Sequence, residues 1–372
     1  MKVIIAVGHG GIYSGGSYQS LWALSALKDA GVEVLAIWGN DIESDPQGFD
    51  RLKALNIKYK LLEINHRATI YSVRQVRKII KEFQPDVIEC VKGRAQHHVM
   101  FASLGLRKHA IVYYRGVSQK LDFFQGLRYR LPRVDHLIAN CKSLKTVMVE
   151  SGGINPEKID VVYGQFDPAC SDPELVDAST FRKELGIPLD ATLITQLGNW
   201  ASWRGQDITI RAVTSLKKRG YNIHLLFAGR GTEKLMPLIQ KMNAESFITA
   251  SPFRSDPERI LKATDIAVNS STAIESLPGA LINVQAMGIP AIASNIAGAH
   301  EVVEDGVTGI VVPIGDSDRL QIALESLLTI DPTQFNLMKV VARKRALKLF
   351  SASVRVQRRL ECYRKAIEHR RG

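Results

Sequence analysis

The chain has 372 residues, 45% of them hydrophobic and 23% charged, which is enough to bury two cores and excludes a disordered tail or a small disulfide scaffold. The longest apolar runs, such as "HAIVYY" and "GIVVPI", fall far below the roughly 20 residues that span a bilayer, and "MKVIIAVGHGG" shows no cleavage-site pattern. The net charge of +12 favours an acidic partner. We therefore expect a cytoplasmic protein without a secretory signal.

Strand-like and helix-like segments alternate along the first half of the chain. "KVIIAVG", "VEVLAIWG", "PDVIECV", "HAIVYYR", "HLIAN" and "IDVVYG" are short and rich in β-branched residues, and helix-length stretches separate them. Parallel strands need such crossovers, so this pattern predicts a doubly wound α/β domain over residues 1–170.

A second series follows the polar, proline-containing loop "DPACSDPELVDAS". It contains "TLITQLG", "NIHLLFAG", "SFITASP", "DIAVNSS", "IPAIAS" and "GIVVPI", again separated by helical stretches. The series predicts a second α/β domain over residues 171–345 and a cleft between the two domains. The basic, amphipathic run "RVQRRLECYRKAIEHRR" predicts a helical tail over 346–372 that crosses back to the first domain.

The positive charge is concentrated between residues 58 and 145, which contain 18 Lys and Arg but 6 Asp and Glu. Such a field suits a phosphorylated substrate, an anionic membrane surface or nucleic acid. A merely solubilising surface explains it as well. Because no nucleic-acid-binding module is recognisable, we expect no nucleic-acid partner.

Cysteine and histidine spacing does not indicate a metal site. Cys90, Cys141, Cys170 and Cys362 form no ligand pattern or dense framework, which fits buried thiols in a reducing compartment. The adjacent histidines at 97 and 98 point to different sides of a helix or a strand. We expect no bound metal.

The first strand is followed by the glycine-rich turn "GHGGIYSGGSYQSL", which leads into a helix. Gly15 and Gly16 would let a phosphate or sugar approach the backbone closely. A tight turn that needs positive φ explains the glycine pair equally well. The spacing does not fit G-x-G-x-x-G, so the turn does not indicate a dinucleotide site.

The second domain carries more specific signals. "LGNWASWRGQDITIRAV" places Arg204 on a loop at the carboxyl end of a strand, where open α/β sheets bind ligands. In "ESLPGALIN", Gly279 and Ala280 open a helix whose N–H groups suit a diphosphate, with Glu275 before it and Asn283 on it. A carboxylate that satisfies the helix dipole and an exposed asparagine would give the same pattern.

At these residues the chain resembles the retaining glycosyltransferases of the GT-B fold, the large family that includes sucrose synthases and bacterial mannosyl- and lipopolysaccharide glycosyltransferases. The family's signature is two glutamates separated by seven residues. The segment "ESLPGALIN" is similar to it, with Glu275 at the first position and Asn283 at the second, and "VQAMGIP" follows. The resemblance covers most of residues 190–320 and extends to "SGGS", "IANCKSLKTVMVESGG" and "KIDVVYGQFD" in the first half.

The resemblance implies roles for residues around the donor diphosphate. Arg204 stands for a lysine that binds the diphosphate, and Asn199 stands where many members have arginine. Glu275 matches the glutamate near the sugar, and Asn283 replaces the glutamate that holds the ribose hydroxyls. Gly279 and Ala280 would donate backbone N–H groups to the diphosphate.

The resemblance also implies contacts to the base, the sugar and the acceptor. Phe253 and Arg254 correspond to the base-binding loop. Arg115 occupies the place of a histidine that touches the sugar, and His300 follows the Gly298 turn that contacts the donor; a solvated loop histidine is the other reading of His300.

The resemblance implies a retaining, metal-independent hexosyltransferase that uses a nucleoside diphosphate sugar, with UDP favoured over GDP, and we expect it to need no cofactor. A hydroxyl acceptor, lipid-linked or a phosphorylated glycan, and a place in polysaccharide, lipopolysaccharide or glycolipid biosynthesis at the inner membrane face are expected. The alternative is a GT-B protein that binds sugar nucleotides or glycans without turnover. An epimerase would need acid and base groups from both domains, and no such set is visible.

Overall fold

The protein consists of two α/β units, each built on one parallel sheet. The computed structural model describes residues 1–12 and 14–371 of the chain. Residues 1–165 and the C-terminal helix form the first unit, and residues 166–351 form the second. The predicted fold class of two doubly wound α/β domains is confirmed.

The first unit contains a sheet of seven strands. They are β1 (Lys2–Val7), β2 (Glu33–Gly39), β3 (Lys58–Leu62), β4 (Val87–Val91), β5 (Ala110–Arg115), β6 (His136–Ala139) and β7 (Ile159–Val161). Their spatial order is β3-β2-β1-β4-β5-β6-β7, and all pairs are parallel. Apolar β-branched residues fill the central strands, so that five of the six residues of β1 are buried.

Helices connect these strands as the alternation predicts. They are α1 (Gly15–Asp29), α2 (Pro46–Ala54), α3 (Ile70–Phe83), α4 (Gly93–Ala102), α5 (Phe123–Arg130) and α6 (Lys142–Gly152). Two of them begin with a capping box, formed by Ser14 with Ser17 at α1 and by Thr69 with Ser72 at α3. Each box satisfies N–H groups that a helix start would otherwise leave unpaired.

The second unit contains a sheet of six parallel strands. They are β8 (Thr192–Leu197), β9 (Ile223–Ala228), β10 (Ile248–Ser251), β11 (Ile266–Asn269), β12 (Ala291–Ser294) and β13 (Gly309–Val312), in the spatial order β10-β9-β8-β11-β12-β13. The helices are α7 (Phe181–Glu184), α8 (Gln206–Lys218), α9 (Met236–Lys241), α10 (Pro257–Ala263), α11 (Gly279–Ala286), α12 (Ala299–Val302), α13 (Ser317–Thr329) and α14 (Pro332–Phe350). Short 3-10 helices lie at Asn40–Ser44, Pro156–Lys158, Pro168–Cys170, Pro173–Leu175 and Thr232–Leu235.

Strand order reverses once in each sheet. In the first unit β1 lies between β2 and β4, and in the second β8 lies between β9 and β11. The loops after the central strands diverge at such a point, and a crevice opens at the carboxyl ends where ligands bind. The crevice of the second unit is therefore the expected place for the site that the sequence predicts there.

The last helix, α15 (Ala352–Arg371), returns to the first unit and packs against α1, β5 and β6, as predicted. All four cysteines are buried free thiols, as predicted, and Cys362 lies on this helix.

Among the residues that the structure describes, no helix combines the length and the apolar composition needed to cross a bilayer.

A buried ion pair attaches α15 to the sheet. Nε of Arg359 lies 3.0 Å from Oε2 of Glu89 on β4, and both side chains are almost fully buried. The Tyr363 hydroxyl donates to the same carboxylate over 2.7 Å. A buried carboxylate without these donors would be strongly unfavourable, so the helix and the strand depend on each other.

We expect Arg359→Met to lower the stability of the first unit by about 3 kcal/mol or more, because it leaves Glu89 buried and unpaired. Adding Glu89→Gln should recover part of the loss, since the unpaired charge is removed. Arg364→Met, on an exposed residue of the same helix, should change stability by less than about 0.5 kcal/mol. Urea unfolding measures the three variants, and equal effects of Arg359→Met and Arg364→Met would contradict the interpretation.

Candidate functional site

The two residues predicted to be catalytic lie together in the second unit. Arg204 follows β8 and Glu275 follows β11, the strands that flank the reversal of strand order. Nη1 of Arg204 lies 2.5 Å from Oε1 of Glu275, and the Glu275 side chain is only 11% exposed while that of Arg204 is 29% exposed. The chain therefore places a cation and a carboxylate in contact at the expected crevice.

Gly205 makes this contact possible. It has a φ of 62°, and a Cβ at this position would overlap the carbonyl oxygen of Ser270 after β11. The Ser270 hydroxyl lies 2.7 Å from the Gly205 carbonyl oxygen, and Nε2 of Gln196 donates to the Arg204 carbonyl over 2.9 Å. The Thr209 hydroxyl donates to Oε1 of Gln196 over 2.7 Å. This buried network holds the backbone that carries Arg204.

Glu275 is held by its own loop. Ile274 immediately before it has a φ of 62°, a conformation that a β-branched residue rarely adopts. The Ser271 hydroxyl lies 3.3 Å from Oε1 of Glu275. Strain of this kind is maintained by the surrounding structure and is concentrated at functional sites.

Helix α11 begins at Gly279, as the sequence predicts. Pro278 precedes it, and no side chain caps its first turn. The first intrahelical backbone bond runs from the Ile282 N–H to the Pro278 carbonyl, so Gly279 and Ala280 start the helix with N–H groups that have no partner in it. A Cβ at Gly279 would meet no atom within 4 Å. This helix start can accommodate an anion beside its backbone.

Asn199 fixes a neighbouring loop. Its Oδ1 accepts from the Arg230 N–H over 3.0 Å, and the Trp200 N–H donates to the Arg230 carbonyl over 2.8 Å. Gly229 has a φ of 159° and approaches the Gly198 carbonyl so closely that a Cβ would overlap it. Asn199 therefore positions the loop after β9.

The predicted base-binding pair separates into two environments. The Phe253 ring is 37% exposed, and the Arg230 guanidinium lies 4.4 Å from its centre. Nε and Nη2 of Arg254 donate to the Asp256 carboxylate over 2.8 and 2.6 Å. These bonds raise the pKa of Arg254. Phe253 thus has a partly exposed ring in contact with Arg230, whereas Arg254 is held in an ion pair.

Asn283 and His300 occupy different kinds of position. Asn283 is buried, and its Oδ1 accepts from the Asp167 N–H over 2.8 Å. His300 is exposed, and the loop before it is tied back by a 2.7 Å bond from the Gly298 N–H to the Ser276 carbonyl. The structure thus holds the Asn283 oxygen in a backbone bond, while His300 stays accessible near the Glu275 loop.

In the first unit, Gly15 and Gly16 open α1 at the carboxyl end of β1. Nothing lies within 4 Å of a Cβ at Gly15, and one at Gly16 would lie 3.5 Å from the His9 ring. His9 is 8% exposed, and burial followed by the charge of Lys92 lowers its pKa to about 3. A neutral imidazole therefore faces the glycine turn.

Arg115 ends β5, as predicted, and its Nη2 donates to the Gln119 carbonyl over 2.6 Å. Its guanidinium lies 5.9 Å from the centre of the Tyr129 ring.

Sequence reasoning missed several residues that build these sites. His9 stands inside the quoted turn, but a histidine beside glycines gave no signal of burial. Gln196, Thr209 and Ser270 form the network under Arg204, and their contacts join three segments that are distant in the chain. The glycines in these loops are the one feature of the sequence that indicates a close approach between the segments.

Among the described residues, one group of three could hold a metal ion: His136, Asp160 and Cys362, whose ligand atoms lie within 4.8 Å of one another. Although burial would raise it, hydrogen bonds from His136 and Lys365 hold the pKa of Asp160 at about 2. Lys365 donates to both Asp160 oxygens, over 2.8 and 3.0 Å. The carboxylate thus already has a cation, and the group attaches α15 to β6 and β7.

Two doubly wound units, the second with a cation, a carboxylate and an open helix start, are features expected of a GT-B protein. A family model described as "Glycosyl transferases group 1" matches residues 177–344, and one described as "Glycosyltransferase Family 4" matches residues 15–169. The two matches together cover most of the chain. The chain belongs to the GT-B glycosyltransferases.

Individual relatives agree with this assignment. A D-inositol 3-phosphate glycosyltransferase 1 of Catenulispora acidiphila is 26% identical over 283 residues, which are 73% of this chain and 66% of that one. The chain spans between about half and two thirds of the length of the curated relatives that it matches first.

Solved structures show the same fold. A glycosyltransferase from Rickettsia africae has a TM-score of 0.86 at 17% identity and covers 99% of this chain and 98% of its own. Anabaena Alr3699/HepE in complex with UDP has a TM-score of 0.83 at 20% identity, covering 97% of this chain and 99% of its own. The same Anabaena protein has been solved with UDP-glucose.

We expect Gly205→Ala to destabilise the second unit by at least about 2 kcal/mol more than Gly186→Ala. Gly186 has nearly the same φ, 64°, but open space around a Cβ, so it reports the backbone cost alone. The additional loss at Gly205 comes from the overlap with Ser270. Denaturant unfolding measures both variants, and equal losses would show that the close approach does not constrain the loop.

Proposed function

We propose that this glycosyltransferase is a retaining, metal-independent enzyme that transfers a hexose from a nucleoside diphosphate sugar to a hydroxyl acceptor. The observation that carries the proposal is the contact between Arg204 and Glu275 in the same crevice as the uncapped start of α11. Cationic and backbone donors gathered at one point suit a departing diphosphate.

The leaving group drives the proposed reaction. Negative charge grows on the diphosphate as the glycosidic bond breaks, and the Arg204 guanidinium would stabilise it through a bidentate fork. The N–H groups of Gly279 and Ala280 would add donors that need no reorganisation. Glu275, held by Arg204 and Ser271, would orient the sugar beside them.

Retention follows if the acceptor approaches the same face that the diphosphate leaves. An oxygen of the departing diphosphate would take the proton of the acceptor hydroxyl. A glycosidase would need a second carboxylate across the scissile bond, and only Glu275 is placed by the family signature. Because donors from the protein meet the charge of the diphosphate, the proposed mechanism needs no metal.

UDP is the proposed nucleotide. The support is the fold shared with the Anabaena protein that was solved with UDP and UDP-glucose. The exposed Phe253 ring and the loop that Asn199 holds offer the surface for the base. The bond between Asn283 and the Asp167 N–H leaves the Nδ2 donor of Asn283 as its proposed contact to the ribose.

A non-catalytic protein that binds sugar nucleotides or glycans is the second candidate. Asn199, Asn283 and Arg115 motivate it, because they replace residues that the resembled family commonly uses. An enzyme and a binder differ in nucleotide release.

We expect the full chain to release UDP from UDP-glucose faster with an acceptor than without one. Arg204→Gln should lower this turnover about 10²-fold or more, because one preorganised charge is lost. Arg211→Gln, an exposed residue of α8 paired with Asp207, is the matched control and should stay near the parent rate. NMR of the product should show the anomeric configuration of the donor.

Tight UDP binding with no release in any acceptor mixture would favour the binder. An unchanged rate in Arg204→Gln would remove Arg204 from the mechanism.

We further propose that the enzyme works in the cytoplasm at the inner membrane face, on a lipid-linked or phosphorylated glycan in polysaccharide, lipopolysaccharide or glycolipid synthesis. Arg74, Lys78 and Lys81 are exposed on α3. Phe123 and Phe124, at the start of α5, are 71% and 78% exposed. Right-handed crossovers place α3 and α5 on the same face of the sheet, so cations and aromatic rings share that face.

Arg77 does not belong to this exposed set. Its Nη1 donates to the carbonyls of Ala102 and Leu104 over 2.8 and 2.6 Å, which attaches α3 to the end of α4. A membrane would therefore be met by Arg74, Lys78 and Lys81.

We expect the protein to co-sediment with vesicles in proportion to their anionic lipid and less so at high salt, because each basic residue contributes about 1 kcal/mol near such a surface. The double variant Arg74→Glu/Lys78→Glu should lose most of this binding. Lys344→Glu/Lys348→Glu, with the same spacing on exposed positions of α14, should retain it. Equal recovery of the protein with neutral and anionic vesicles would show that this basic face is a solvated surface without a membrane partner.

A further inference from the structure

Four cationic residues belong to the end of β5 and to the segments that follow β4 and β5 in the first unit. They are Lys92, Arg94, Arg115 and Arg128. Within residues 1–12 and 14–371, none of them forms an ion pair with a carboxylate, whereas other arginines of the unit do. Arg133, for example, pairs with Asp135. The charges of these four residues are therefore not neutralised by a carboxylate of the described chain.

Two of the four face one aromatic ring. The guanidinium carbons of Arg115 and Arg128 lie 5.9 and 5.4 Å from the centre of the buried Tyr129 ring. Nη2 of Arg115 donates to the Gln119 carbonyl, and Nη1 of Arg128 lies within hydrogen-bond distance of His97. Each guanidinium is therefore held in place, and its other Nη N–H groups can donate to an anion.

A neutral histidine supports Arg128. Nε2 of His97 lies 2.6 Å from Nη1 of Arg128. Burial, and then the charges of Arg128 and Arg94, lower the pKa of His97. The imidazole is therefore neutral at pH 7 and accepts the hydrogen bond, which orients the guanidinium without neutralising its charge.

The same guanidinium lies beside the start of α4. Nη2 of Arg128 lies 3.6 Å from the place of a Cβ at Gly93, the first residue of that helix. No side chain caps α4, and its preceding residue, Lys92, has a φ of 73° that a lysine rarely adopts. The free N–H groups of the first turn therefore stand next to Arg128.

Unpaired cations that are fixed close together repel one another unless an anion joins them. A phosphomonoester carries nearly two negative charges and three acceptor oxygens. It can accept from two guanidinium groups and a helix start at once, whereas a carboxylate has one charge and two oxygens. The arrangement fits the phosphate better.

We propose that Arg115, Arg128 and the first turn of α4, with Lys92 and Arg94 at the rim, bind a phosphomonoester carried by the acceptor. This inference rests on the proposed function, since it names the acceptor class for the same transfer. Arg204 and α11, in the second unit, are the groups proposed for the donor diphosphate. The first-unit cluster is thus left for a second anion.

The test is isothermal titration of the full chain with glucose 6-phosphate, glucuronate or glucose, each without UDP and at saturating UDP. We expect glucose 6-phosphate to bind in both conditions, with glucose and glucuronate at least about ten-fold weaker. Arg115→Gln and Arg128→Gln should each weaken glucose 6-phosphate binding at least about ten-fold while leaving UDP affinity unchanged. Arg130→Gln, on an exposed residue of α5, is the control and should bind like the parent.

Four results would overturn the proposal. Competition between glucose 6-phosphate and UDP would show that the sugar phosphate binds in the donor site instead of this cluster. Equal binding of glucose or glucuronate would show that the cluster does not select phosphate. The cluster binds no phosphate if the parent protein shows no detectable binding of glucose 6-phosphate. The same conclusion follows if Arg115→Gln and Arg128→Gln bind glucose 6-phosphate as tightly as the parent does. Failure of UDP to bind would contradict the proposed function but not this inference. The titration without UDP still measures phosphate binding at the cluster.

Discussion

Parallel pairing is the constraint on which both units depend. Every strand of each sheet runs in the same direction, so every connection must cross over, and every loop that follows a strand reaches the same edge. In this protein helices make the crossovers. Residues as far apart in the chain as Arg204 and Glu275 meet because β8 and β11 are neighbours. The reversal of strand order beside β8 opens the space that those two loops share.

Glycine and hydrogen-bonded side chains convert this general arrangement into a defined site. Gly205 allows the backbone after β8 to approach Ser270, and the Gln196 amide and Ser270 hydroxyl then hold the carbonyls that a close approach would otherwise leave unpaired. The Arg204 side chain is thus mounted on a rigid backbone. Preorganisation of this kind gives an electrostatic contact its effect on a developing charge.

The two units use charge in different ways. In the second unit Arg204 is paired with Glu275, so its cation is oriented before any ligand binds. In the first unit Arg115 and Arg128 are oriented by a carbonyl, a neutral histidine and an aromatic ring, none of which cancels their charge. The buried pair of Arg359 and Glu89 has a third use, which is to attach the C-terminal helix to the first sheet.

The amino-acid sequence by itself determined the α/β class, the two sheets, the return of the last helix and the start of α11 at Gly279. These follow from local periodicity, from glycine and proline positions and from a family signature, all of which act over a few neighbouring residues. The tertiary structure alone decided which side chains meet. It placed Arg254 in an ion pair with Asp256, gave the Asn283 oxygen to the Asp167 backbone, and buried His9 as a neutral imidazole. Such pairings depend on register and loop path between distant segments, which no local pattern encodes.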